Sequence, residues 1–138
     1  MPKEFWINLP VADIDRARAF FEALDFDVDA ANSSAQMMAM RLGEKRLVVM
    51  LIADPTFARA AGADVADTRR GAEVMISFDA ENRAEVDALP DRVTAAGGTV
   101  FAPPTEIDGW MYGAGFADPD GHRWNILHMD PARRATLT

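Results

Sequence analysis

One pattern constrains this chain more than any other: a strand, a helix and three strands, met in the first half and again in the second. From Glu4 to Val11, the apolar Phe5, Ile7, Leu9 and Val11 alternate with Trp6 and Asn8, the period-two signature of a strand. Asp13 supplies an N-cap carboxylate, and Ile14, Ala17, Phe20, Phe21 and Leu24 share one face of the helix that follows. Three strands are then expected over Phe26 to Ala30, Gln36 to Leu42 and Arg46 to Ala53, the last two joined through Gly43-Glu44-Lys45. After a stretch with Pro55, Gly62 and many alanines, the order restarts. Glu73 to Asp79 reads as a strand, and Asn82 caps a helix carrying Val86, Leu89, Val93 and Ala96 on one side. Gly97-Gly98 closes that helix, and Thr99 to Ala102, Trp110 to Ala117 and His122 to Met129 give three more strands. An offset of about 69 residues lays Trp6 on Met75, Asp13 on Asn82, Phe20 on Leu89 and Leu24 on Val93.

The pattern predicts an α+β protein of two βαβββ modules within one domain over 1–138. Module one covers about 1–53, a connector about 54–71, and module two about 72–130. Pro90 interrupts the second helical pattern and removes a backbone hydrogen bond at a cost of roughly 3 kcal/mol, so a kink or two short helices are expected there.

Composition narrows the function. The chain is 49% apolar and 26% charged, enough to bury a core. No apolar run approaches the roughly 18 residues of a membrane span, and Met-Pro-Lys-Glu-Phe lacks the features of a signal peptide. With no cysteine, disulfides, thiolate metal sites and cysteine nucleophiles are excluded, and the expected compartment is the cytoplasm. A net charge of −8 opposes a phosphate backbone, and the Lys and Arg residues are scattered, so nucleic acid is not an expected partner.

The stretch from Gly109 to Met129 carries the most specific information. Asp118-Pro119-Asp120-Gly121 is a turn, since Pro presets φ at the first turning position and Gly accepts the left-handed one. The runs on either side are expected to pair as a hairpin. Asp-Pro-Asp-Gly before an aromatic-rich strand resembles the last hairpin of the vicinal oxygen chelate superfamily, which includes glyoxalase I, extradiol dioxygenases and bleomycin-resistance proteins. Leu9-Pro10-Val11-Ala12-Asp13 before the first helix and Gly97-Gly98 after the second also stand where that family has them. Met111-Tyr112-Gly113 ahead of the turn resembles a bacterial subgroup of predicted lactoylglutathione lyases. The resemblance implies two βαβββ modules forming a half-open mixed sheet around a cleft, and a homodimer.

In the family's metalloenzymes, ligands come from the first and fourth strands of each module, and carried onto this chain they fall at Trp6, about Met50, about Met75 and Asn125. None suits Zn²⁺, Ni²⁺ or Fe²⁺, which want imidazole or carboxylate there. Glu73, two residues from Met75, would add one carboxylate. No metal and no other cofactor is therefore expected. His122 and His128 lie six residues apart on one strand, about 20 Å, too far to share an ion, and are expected to support the turn or face solvent.

The expected ligand-binding cleft is lined by Trp6, Asn8, Met50, Met75, Trp110, Tyr112 and Asn125, with Trp124 and further methionines adding apolar surface. Three functions fit. The first is a metal-independent small-molecule binder resembling the bleomycin-resistance branch, whose clefts take up cationic drugs. The second is a glyoxalase-like lyase or dioxygenase-like enzyme, with a divalent metal on other ligands or with Glu106, Tyr112 or Glu73 as acid or base. The Glu106 and Asp108 carboxylates are expected in a loop after Pro103-Pro104. The third is an interaction module whose apolar cleft meets another protein.

Overall fold

The computed structural model describes residues 1–136. They divide into two compact units, Met1–Gly71 and a second from Ala72 onward, and each holds one four-stranded mixed sheet.

In the first unit the elements are β1 (Trp6–Val11), α1 (Ile14–Ala23), β2 (Asp27–Asp29), β3 (Met37–Leu42), β4 (Leu47–Ala53) and α2 (Asp54–Ala61), with a single 3-10 turn at Ala30–Asn32. The sheet order is β1-β4-β3-β2, with β1 parallel to β4 and the other pairs antiparallel. A parallel pair needs a long crossover, and α1 with β2 and β3 supplies it. Asp13 caps α1 as expected, its carboxylate accepting from the Arg16 N–H at 3.1 Å. Ile14, Ala17, Phe20 and Phe21 are buried against the sheet with Leu9, Val11, Met38, Met40, Val49 and Leu51. Phe21 meets Phe20 and Phe26 edge to face at 5.0 and 5.3 Å. Met38 and Met40 are thus core residues, not cleft surface. Phe5 lies outside the strand and is exposed.

The expected connector begins as the helix α2, with Pro55 in its first turn, where no N–H is needed. Gly62 ends it in the left-handed conformation at φ 69°.

The second unit comprises β5 (Met75–Asp79), α3 (Arg83–Ala95), β6 (Thr99–Ile107), β7 (Met111–Ala117), β8 (Arg123–Met129) and α4 (Pro131–Arg134). Its order, β5-β8-β7-β6, repeats that of the first, with β5 parallel to β8. Asn82 caps α3 by accepting from the Glu85 N–H at 3.0 Å. The helix runs uninterrupted through Pro90, correcting the expectation of two short helices. Val86 and Leu89 before the proline and Val93 after it are all buried on the sheet, so burial on both sides outweighs one lost backbone bond.

A second correction concerns β6, which continues through Pro103 and Pro104 to Ile107. It is the edge strand, where proline is tolerated, and register shifts between Val100 and Ala102 and between Ala102 and Thr105 absorb the irregularity. Glu106 is therefore in a strand, while Asp108 and Gly109, at φ 52° and 76°, turn the chain into β7.

The hairpin of β7 and β8 forms as read. The Gly121 N–H closes the turn on the Asp118 carbonyl at 2.9 Å, and Gly121 sits at φ 86°. Asp118 itself is buried. Its carboxylate accepts from the N–H groups of Asp120 and His122, both at 3.0 Å, and from Trp124 Nε1–H at 3.1 Å. Trp124 is fully buried and stacks on Phe116 at 6.4 Å, so it belongs to the core beneath α3 and not to a ligand surface. His122 is buried in this turn, and His128 donates from Nδ1 to the Ala80 carbonyl at 3.1 Å. None of the described helices is long and apolar enough to cross a membrane.

Candidate functional site

Strand alternation and register decide which side chains share a face. In the second sheet, Trp124 and Ile126 of β8 lie under α3. Arg123, Asn125, Leu127 and Met129 therefore point the other way. Their cross-strand partners on β7 are Ala117, Gly115, Gly113 and Met111, and on β5 Arg123 and Asn125 pair with Met75 and Ser77. Met75 and Ser77 are exposed, whereas Ile76 between them is buried. The face away from α3 thus carries Met75, Ser77, Arg123, Asn125 and Leu127 over a strip of two glycines.

Those glycines are positional requirements. A Cβ on Gly113 would stand 2.6 Å from Leu127 Cδ2 and 2.8 Å from the Ile126 carbonyl oxygen. On Gly115 it would meet the Phe101 ring at 2.5 Å. Phe101, in the irregular part of β6, lies over Gly115 and supports the Arg123 guanidinium 4.5 Å above its ring centre.

Several expected site residues are elsewhere. Tyr112 pairs with His128 and faces α3, where its hydroxyl donates to Asp87 and Arg83 lies 4.7 Å over its ring. The hydrogen bond to Asp87 and then burial push the phenol above its usual range, with Asp87 charge adding to both, so it stays protonated. Glu106 pairs in register with Tyr112 and is held by Arg83 of α3. Neither is on the face with Asn125, because one residue along a strand reverses the direction. Glu73 is in an exposed bend ahead of β5, not on the strand. Trp110 occupies the β6–β7 turn, with Arg133 of α4 5.2 Å over its ring. Replacing Tyr112 with Phe should lower the melting temperature slightly and leave small-molecule binding unchanged. Binding lost in that variant would mean that the phenol serves the other face.

In the first unit, Trp6 and Asn8 are exposed and lie on the face away from α1, since Leu9 and Val11 are buried on the helix side. Asn8 pairs with Met50, and Met50 with Ala39. The same sheet carries the Arg41–Asp29 ion pair. The Asn32 side chain, with Arg41 assisting, holds the Asp29 carboxyl below its usual range.

The donor set does not fit a divalent metal. The four carried-over positions hold an indole, two thioethers and an amide, and in register the residue beside Asn125 is Ser77, not Met75. Among the described residues no group of three or more His, Cys, Asp or Glu could hold an ion. Asn125 adds a further feature, because its Oδ1 is buried without a hydrogen-bond partner.

Sequence reasoning missed Arg123, Ser77 and Phe101. Arg123 and Ser77 were readable, being two residues from Asn125 and Met75 and so on the same faces. Phe101 was not, because its direction depends on an irregularity in β6.

Paired βαβββ units, each with a sheet covered on one side by a helix, define the architectural class. The chain belongs to the Glyoxalase/Bleomycin resistance protein/Dioxygenase superfamily, whose family model matches residues 5–126. Among solved structures it is similar to hypothetical protein SA1046 from S. aureus, at 34% identity and TM-score 0.84, covering 93% of this chain and 95% of that one. A glyoxalase-related enzyme from Fulvimarina pelagi shares 20% identity at TM-score 0.79, with 92% and 88% covered. A glyoxalase/bleomycin resistance protein/dioxygenase family enzyme from Burkholderia phytofirmans PsJN shares 20% at TM-score 0.76, with 91% and 97% covered. At 20% identity, these last two bear on the fold alone. No curated protein sequence matches the chain.

Proposed function

We propose that this protein binds a small molecule without a metal ion, on the sheet faces that its superfamily uses for ligands. The observation that carries this reading is the side-chain chemistry at the superfamily's metal positions. Trp6, Met50, Met75 and Asn125 offer neither imidazole nor carboxylate, and Ser77 beside Asn125 offers only a hydroxyl. A mostly apolar face with a few directed polar groups suits a small organic ligand. The acid and base candidates that an enzyme would need do not support the alternative reading. Tyr112 and Glu106 are engaged with α3, and Glu73 stands outside the strand. Asp79, on the same face as Ser77, is tied to Arg134 at 2.9 Å. In this reading the likeness of Met111-Tyr112-Gly113 to predicted lactoylglutathione lyases marks kinship of sequence, not the lyase reaction. A cytoplasmic homodimer is part of the proposal.

Elemental mass spectrometry on protein grown with added Ni²⁺, Zn²⁺, Fe²⁺ and Mn²⁺ tests it. Metal at background, with a melting temperature unchanged by a chelator, is the expected result. Near one ion per chain would overturn it and direct work to lyase and dioxygenase assays.

A further inference from the structure

We propose that the face of the second sheet away from α3 binds small organic anions, carboxylates or phosphonates on an apolar body, with Arg123 as the anion-reading residue. This rests on the small-molecule reading above and names the ligand's chemical class.

Arg123 is half-buried in a chain of net charge −8, yet among the described residues its guanidinium contacts the Phe101 ring and no carboxylate. Its strand neighbours are Met75 and Ala117, which carry no charge. The acidic residues on and just before the neighbouring strand β5 do not serve it. Asp79 is paired with Arg134, and Glu73 sits in the exposed bend before β5. The ring holds the guanidinium in place, and Gly115 in turn gives the ring its room. A planar guanidinium so held presents a fork of N–H donors matched to a carboxylate or phosphonate.

The neighbouring polar groups have the same sense. Asn125 lies two residues along β8 on the same face, about 7 Å away. Its Oδ1 is buried without a partner, and its NH₂ group carries two donors. Ser77, its partner on β5, is exposed and brings a hydroxyl. A guanidinium, an amide NH₂ and a hydroxyl can all donate, which is what an anion requires and a cation does not. Met75, Leu127 and Phe101 supply apolar surface for the rest of such a ligand. Net charge alone favours a cationic ligand, as the superfamily resemblance implied, but over a few ångströms the local donor set outweighs diffuse surface charge screened by salt.

The test holds the apolar body constant and changes its charge. Binding of phenylphosphonate, benzoate, benzamide and benzylamine to the full-length protein is measured by chemical-shift titration. The two anions are expected to bind tightest and to shift resonances of β5 and β8. Arg123→Gln should weaken them at least tenfold and leave benzamide unchanged, while Arg123→Lys, keeping charge without the fork, should fall between. Benzamide or benzylamine binding as tightly as the anions, or anion binding indifferent to Arg123→Gln, would overturn the anion inference and leave the small-molecule reading intact. Silence from all four probes would also overturn it, whereas the small-molecule reading falls to the metal measurement.

Discussion

Replacing Asp118 with Ala is expected to destabilise the protein by about 3 kcal/mol or more, measured by urea unfolding at neutral pH. The carboxylate is the common acceptor for the Asp120 and His122 backbone N–H groups and for Trp124 Nε1–H. A buried donor stripped of its acceptor costs about 1–3 kcal/mol, and at least two of these three are shut away from water. Trp124→Phe removes one donor, so the double variant should cost less than the sum of the singles by about 1 kcal/mol. Strict additivity would mean that the indole bond contributes nothing.

The pH dependence of the same residue has a definite sign. Burial pushes the Asp118 carboxyl above its usual range, against the opposing pull of His122 and the Trp124 hydrogen bond. A raised value means that the folded state favours the protonated form. Its contribution to stability is therefore full below the ordinary carboxylate range and is lost as pH rises through the shifted value. The stability difference between the native protein and Asp118→Asn should narrow across that window as pH rises. A difference that widens instead would show that the fold favours the carboxylate.

The second large effect is expected at Gly113. Valine is normally welcome in a strand, but here a Cβ would stand 2.8 Å from the Ile126 carbonyl oxygen as well as 2.6 Å from Leu127. The leucine tip can move, but the backbone carbonyl is fixed by the sheet. Gly113→Val should therefore destabilise by about 2–3 kcal/mol, the range of an overpacked core. Gly115 is the contrast. Its obstacle is the Phe101 ring, a half-exposed side chain that can swing aside. Gly115→Ala should change stability by less than about 1 kcal/mol while displacing the ring beneath Arg123, and so weaken anion binding more than folding. Equal destabilisation at both glycines, read from urea midpoints, would refute the distinction between a rigid and a movable obstacle.

What could be read from the sequence was whatever depends on neighbours along the chain. The Asp13 and Asn82 caps, the buried stripes of both helices, the turn at Asp118-Pro119-Asp120-Gly121 and the order of the two βαβββ units are local, because dihedral preference and apolar spacing act over a few residues. Alternation likewise placed Trp6 and Asn8 opposite Leu9. The errors came where a distant contact decides. Burial of Val86, Leu89 and Val93 on the sheet carried α3 through Pro90. The edge position of β6 let it run through two prolines, and the register it then adopts with β7 turned Glu106 toward α3, the side that Tyr112 already faces through the pairing of β7 with β8. Trp124 looked like pocket lining until Asp118, brought beside it by the hairpin, gave its indole N–H a buried partner.

The candidate site divides in the same way. The absence of imidazole and carboxylate at Trp6, Met50, Met75 and Asn125 is a property of the sequence. That Ser77 is the residue beside Asn125, and that Phe101 lies over Gly115 to hold Arg123, follow from strand register and from a bulge. Those are set by packing across the sheet, so the tertiary structure alone decided them.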